Sequence, residues 1–160
     1  MIKTKNIENG IKRLKENTGF FGRIELLRQN LPLIIDVSHN PAGVKALVET
    51  LELHFPNIEK WNFVLACMAD KDISAMLKEI KKLCNELICC SLKIERAASE
   101  TLLEEKAKEN GFPAIKKYGT VKDALDYALL EEKATIIAGS FYLIEEALVL
   151  LKEKNFAVNI

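Results

Sequence analysis

The chain has 160 residues, 49% of them apolar, which is enough for one domain with a real core and too apolar for a disordered segment. Lysine plus arginine and aspartate plus glutamate both number 23, so the net charge is zero and a nucleic-acid binder built on a global basic field is excluded, though a local patch is not. No apolar run approaches the roughly 18 residues of a membrane span, and Met1-Ile2-Lys3-Thr4-Lys5 lacks the apolar core of a signal peptide, so a cytoplasmic protein with no membrane contact is expected.

Residues 1–18 are polar and lysine-rich. Ile7, Ile11 and Leu14 recur at helical spacing and predict one short amphipathic helix, broken by Gly19-Phe20-Phe21-Gly22. This piece reads as a linker into an α/β domain over residues 19–160. Arg23 to Leu27 is a candidate first strand, with a turn at Gln29-Asn30. Leu33-Ile34-Ile35 is an unbroken apolar run of the kind that a parallel sheet buries on both faces. It ends in Asp36-Val37-Ser38-His39-Asn40-Pro41. Asn40 is a candidate N-cap there, and Pro41 occupies the first helical position, where its missing N–H costs nothing.

Val44, Leu47, Val48, Leu51 and Phe55 mark one face of the helix that follows, and Pro56-Asn57 stops it. Trp61 to Met68 predicts a strand ending at Ala69-Asp70-Lys71-Asp72. Asp72 caps a helix traced by Ile73, Met76, Leu77, Ile80 and Leu83, with Cys84 at its end. Glu86 to Leu92 predicts another strand, followed by a polar loop from Lys93 to Ser99. Ser99 caps a helix carrying Leu102, Leu103 and Ala107 that closes at Asn110-Gly111, and Thr120 caps one carrying Val121, Ala124, Leu125, Ala128 and Leu129. Ala114 to Tyr118 and Ala134 to Ala138 are short strands. Gly139-Ser140 turns into a last helix with Leu143, Ile144, Ala147, Leu148 and Leu151, and Phe156 to Ile160 is a candidate edge strand.

Strands alternating with helices at this spacing predict an α/β fold: a three-layer, mostly parallel twisted sheet with helices on both faces, Rossmann-like. The G-x-G-x-x-G fingerprint and the P-loop are both absent, so any nucleotide is held in another way or partly by another domain. The four cysteines show no C-x-x-C spacing, and adjacent Cys89 and Cys90 point to opposite faces of a strand. They read as reduced core residues, and no metal site is expected.

In a parallel sheet all strand carboxyl ends share one edge, where ligands bind and helix N-termini favour anions. The polar residues following the strands are Asp36 to Asn40, Asp70 to Asp72, Glu95-Arg96, Gly119-Thr120 and Gly139-Ser140, whereas the opposite edge receives mainly turn residues such as Asn57, Asn110 and Glu131. Each candidate has a structural alternative. Asp36 can hold a tight turn, Asn40, Asp72 and Ser140 can cap helices, and Arg96 can be a solvated charge. His54 fits a helix C-terminus. His39 is not a preferred cap and asks for another explanation. No G-x-S-x-G elbow occurs, and no cysteine follows a strand into a helix N-terminus, so neither a serine nor a cysteine nucleophile is indicated.

Four elements occur in order: Gly22-Arg23-Ile24-Glu25, Asp36-Val37-Ser38-His39-Asn40-Pro41, Asp70-Lys71-Asp72 and Gly139-Ser140-Phe141-Tyr142. Together they resemble the C-terminal domain of folylpolyglutamate synthase and the bifunctional dihydrofolate synthase, members of the Mur ligase superfamily, over roughly Ile7 to Leu151. Asp-x-x-His-Asn-Pro alone indicates a Mur-type ligase, and Gly-Arg-x-Glu with Gly-Ser-x-Tyr narrows it to the folate branch. Ser38 departs from that family, which more often has Ala, and Phe20-Phe21 stands where Trp-Pro is usual.

The resemblance implies an ATP-dependent ligase that joins L-glutamate to folate or dihydropteroate through an acyl phosphate. Its P-loop and most of its Mg²⁺ site would belong to an N-terminal ATPase domain of the same enzyme, without which this chain is expected to be inactive. By the same resemblance Arg23 and Asp36 face the nucleotide. His39 and Ser140 act at the reacting centre and, with Tyr142, face glutamate; Arg96 is a further substrate candidate. Asn40, Lys71 and Asp72 match the family without an assigned role. A monomer binding no nucleic acid is expected. The competing expectation is a stand-alone α/β ligand-binding or regulatory module that keeps the fold without ligase activity.

Overall fold

The computed structural model describes residues 4–13, 18–19 and 21–156. Helix α1 (Thr4–Lys12) precedes an alternating series: β1 (Glu25–Arg28), β2 (Leu33–Asp36), α2 (Pro41–His54), β3 (Trp61–Leu65), α3 (Ile73–Ile80), β4 (Cys84–Cys90), α4 (Glu100–Glu109), β5 (Ile115–Tyr118), α5 (Val121–Leu130), β6 (Thr135–Ala138) and α6 (Phe141–Glu153). Leu14, Phe20 and the stretch 157–160 of the expected edge strand lie outside the described residues.

The helices begin where the sequence places caps. Asn40, Asp72, Ser99, Thr120 and Ser140 each accept a hydrogen bond from the backbone N–H three residues on, which satisfies one orphan donor of the first turn. Helix α4 ends where Gly111 turns left-handed at φ 70°, and the Phe112 N–H reaches back to the Ala107 carbonyl at 3.1 Å.

The six strands form one sheet in the order β1-β2-β6-β3-β4-β5, with β1 antiparallel at one edge and the rest parallel. Alternate side chains divide between two cores. Ile34, Phe63, Leu65, Leu87, Cys89 and Ile136 pack under α2, α3 and α4. Leu33, Ile35, Val64, Ile88, Cys90 and Ile137 pack under α5 and α6. Cys89 and Cys90 thus occupy opposite faces, and all four cysteines are free and buried. Among the described residues, no helix is long and apolar enough to cross a membrane.

Several element boundaries differ from expectation, among them the end of β4, which stops at Cys90 rather than Leu92. The apolar run from Trp61 does not continue as strand to Met68. After Leu65 the chain leaves the ladder, and Met68 pairs antiparallel with Ala97 from the loop after β4. The Ala98 N–H to Cys67 carbonyl and Ala69 N–H to Arg96 carbonyl bonds, both 2.9 Å, extend that zipper. Cys84 starts β4 rather than ending α3, because it is the register partner of Trp61; Leu83 lies in the turn between them. Arg23 belongs to a bend before β1, not to the strand, because its neighbours Gly22 and Ile24 both have positive φ, 80° and 47°.

Gly139 follows β6 at φ +130°, and a Cβ there would sit 2.4 Å from the Ala66 carbonyl oxygen. Gly139→Ala should therefore lower stability by about 3 kcal/mol or more, measured by urea denaturation. Burial pushes the Cys67, Cys84 and Cys89 thiols up to about 12 and raises Cys90 as well. At pH 8 no appreciable thiolate exists in the folded state, so thiol reagents should label the cysteines only as the chain unfolds.

Candidate active site

The register fixes where the polar residues meet. Asp36 pairs with Ala138, and Ala138 with Leu65, so β2, β6 and β3 end at one level. The segments that follow them carry His39, Ser140 and the Asp70–Asp72 turn. The zipper between the loops after β3 and β4 adds Arg96. The result is a cleft of about 150 Å³ lined by His39, Met68, Lys71, Arg96, Gly139, Ser140, Phe141 and Tyr142.

The His39 ring Nδ1 lies 2.9 Å from the Val37 carbonyl, which can only accept, so Nδ1 carries the proton and Nε2 is left with a lone pair in the neutral ring. The ring also leans on Phe141, centroid to centroid 6.1 Å at 46°. Ser140 is buried, and its Oγ accepts the Leu143 N–H at 3.0 Å, which leaves the hydroxyl proton available for donation. Tyr142 stands half exposed in the first turn of α6, where the positive end of the helix favours a nearby anion.

The opposite wall is cationic. Arg96 donates to both Asp70 carboxylate oxygens at 3.3 and 3.4 Å, and Lys71 Nζ lies 3.7 Å from Asp70 Oδ2. Desolvation works to raise the Asp70 carboxyl, but the Lys71 charge and the hydrogen bond and charge of Arg96 outweigh it and hold it below its ordinary value.

Arg23 and Asp36 lie together beside this cleft rather than in it. Because β1 is antiparallel, its first end meets the last end of β2. Gly22 accepts the Val37 N–H at 2.7 Å, and its own N–H is taken by Glu25 Oε1 at 2.8 Å. Asp36, 2% exposed, takes the Ile24 N–H on Oδ2 at 2.9 Å and the Ser38 N–H on Oδ1 at 2.7 Å. The turn-holding alternative for Asp36 therefore describes its contacts, and the bend it holds presents the exposed Arg23. Asn40 and Asp72 use their side-chain oxygens as caps, for Gly43 at 2.8 Å and Ala75 at 2.9 Å, and neither lines the cleft.

Sequence reasoning missed Met68 and Phe141 as cleft walls. Met68 falls in an apolar run that reads as strand, and only the pairing with Ala97 turns it to the site. The Ser38 hydroxyl is buried and finds no partner among the described residues. Among those residues no three His, Cys, Asp or Glu side chains cluster as a metal site.

A family model described as Mur ligase, glutamate ligase domain, matches residues 22–141. The dihydrofolate synthase/folylpolyglutamate synthase of Escherichia coli is 30% identical over 125 residues, which cover 76% of this chain and 28% of that protein. The chain thus spans under a third of that relative's length. The solved E. coli FolC complex with DHPP and ADP matches with a TM-score of 0.81 at 23% identity, over 97% of this chain and 36% of that one. The Yersinia pestis folylpolyglutamate synthase/dihydrofolate synthase with Mn, AMPPNP and L-glutamate bound gives a TM-score of 0.71 at 25% identity, over 83% of this chain and 32% of that one.

Two substitutions separate support from spectator at this edge. Asp36→Ala strands the buried Ser38 N–H and the part-buried Ile24 N–H and should lower stability by about 2 kcal/mol in chemical denaturation. Ser38→Ala removes an unpaired buried hydroxyl and should be neutral or stabilising by about 1 kcal/mol.

Proposed function

This chain belongs to the Mur ligase glutamate ligase domain family, and from that premise we propose that it is the C-terminal domain of an ATP-dependent ligase adding L-glutamate to folate or dihydropteroate through an acyl phosphate. Residues 19–160 form that domain and residues 1–18 the linker from a P-loop ATPase domain. The observation that carries the proposal is the meeting of His39, Ser140, Tyr142, Lys71 and Arg96 in one cleft at the carboxyl edge of the sheet. The L-glutamate and the nucleotide named for the Yersinia pestis relative support the choice of ligands.

In this reading the helix α6 N-terminus and the Ser140 hydroxyl bind the α-carboxylate of the incoming amino acid. Its amine has to be neutral to attack. His39 Nε2, kept as an acceptor by the Nδ1–Val37 bond, receives the amine proton as the N–C bond forms, the acyl C–O bond breaks and phosphate leaves with its electron pair. Tyr142 borders the same space. Arg23, on the bend that Asp36 holds, extends a cation toward the nucleotide phosphates, where developing charge needs it. The P-loop ATPase domain would supply the Mg²⁺ site and with it the neutralisation of phosphate charge.

The chain alone should make no ADP from ATP, Mg²⁺, folate and glutamate, whereas adding a family P-loop domain should restore ligation. ADP formation by the chain alone would overturn the division of labour. In the restored enzyme, His39→Ala should cut kcat/KM for glutamate by roughly 10²-fold, the scale of one acid–base group, with the KM for ATP unchanged.

A further inference from the structure

The Asp70–Arg96–Lys71 cluster is built unlike a stabilising ion pair. Asp70 is 57% and Arg96 65% exposed at the side chain, and the contacts of 3.3 to 3.7 Å are long for charge-assisted bonds, which settle near 2.7–2.9 Å. Such an exposed, loose pair contributes little to stability, because water screens it and two long side chains must be held to keep it. The backbone beneath it is the reverse. Ala69 and Arg96 are joined by a main-chain bond of 2.9 Å, and Met68 pairs with Ala97. The fold fixes where the two cations arise and leaves their carboxylate partner easily displaced. Asp72, two residues on, caps α3, so the cap does not depend on Asp70.

The cleft also has two chemically distinct ends. His39 follows β2 and Ser140 follows β6, with a helix N-terminus and an imidazole lone pair between them. Lys71 follows β3, which lies beside the β6 that leads into Ser140, one strand spacing or about 5 Å away, and Arg96 follows β4, one spacing further. A ligand filling this length carries an amine and one carboxylate at the first end and a second anion at the other.

Building on the proposed glutamate site, we infer that Asp70 is a placeholder carboxylate: it pairs with the Arg96 and Lys71 of the cleft wall and is displaced from them by the side-chain carboxylate of the incoming amino acid. Asp70 thereby sets a threshold for selectivity. A ligand gains the cationic end only if its own anion replaces the one already there. An amide in the same position cannot displace Asp70, because it carries no charge to exchange. Asp70 touches the cationic side chains rather than the reacting atoms and is a specificity-determining residue.

The test is a set of chemical-shift titrations of the full chain with L-glutamate, glutarate and L-glutamine, comparing wild type with Asp70→Asn. Removal of the internal competitor should tighten L-glutamate and glutarate by about 3- to 5-fold, the reach of one exposed pair, and leave L-glutamine within about 2-fold. In an Arg96→Gln background the gain from Asp70→Asn should fall away. Equal affinities in wild type and Asp70→Asn, a weakening, or an equal gain for L-glutamine would overturn the placeholder role while leaving the glutamate site standing. No response of the His39 and Ser140 amides to L-glutamate in the wild type would remove the glutamate site itself, and the placeholder with it.

Discussion

Everything at the candidate site depends on three neighbouring strands ending at the same height. The ladders of β2 with β6 and of β6 with β3 are in step, so Asp36, Ala138 and Leu65 lie side by side and the chain leaves the sheet three times along one line. Gly139 makes this possible at the centre. Its backbone passes so close to the Ala66 carbonyl that no side chain fits between them. A slip of one residue in either ladder would turn core side chains to the wrong face, and one between β2 and β6 would also pull His39 away from Ser140. Stability and site geometry are therefore enforced by the same hydrogen bonds.

Around that edge the polar residues fall into two groups. Asp36, Asn40 and Asp72 are committed to backbone N–H groups and hold the bend and the helix starts. His39, Lys71, Arg96 and Tyr142 line the open space with groups still able to bind. Ser140 belongs to both groups, as its oxygen caps α6 while its proton remains free. The first group makes the second rigid. Loops that carry charge are usually mobile, but here main-chain bonds tie the loops after β3 and β4 to each other.

Much of this architecture is legible in the order of the residues. Cap residues announce five helix starts, because a short polar side chain ahead of an apolar helical face has few other uses. Alternating elements point to the layered sheet, and the parallel arrangement then places His39 and Ser140 on one edge. What stays hidden depends on partners far along the chain. The strand-like run ending at Met68 carries no local sign that it will pair with Ala97 instead of β6. Cys84 sits at a helical interval, yet pairing with Trp61 draws it into β4. The insertion of β6 between β2 and β3 is a matter of topology that no periodicity records. Arg23 falls outside its expected strand because Ile24, a β-branched residue, is held at positive φ by the Asp36 carboxylate, a long-range contact overriding local preference.

The place of β6 also has a temporal meaning. The strand joining β2 to β3 is the last of the six to be synthesised, and α6 with Ser140 comes after it. Until β6 arrives, β2 and β3 have no partner on their facing edges, and the nascent chain holds two separate pieces of sheet with open ladders between them. Closing that gap joins residues about 70 to 100 positions apart, a slow kind of contact that carries a large loop-closure cost. Open ladder edges of this kind favour aggregation, and the cleft forms only once β6 is in place. A chain that lacks β6 also lacks the turn into Ser140 and α6, so formation of the cleft and completion of the sheet are a single event.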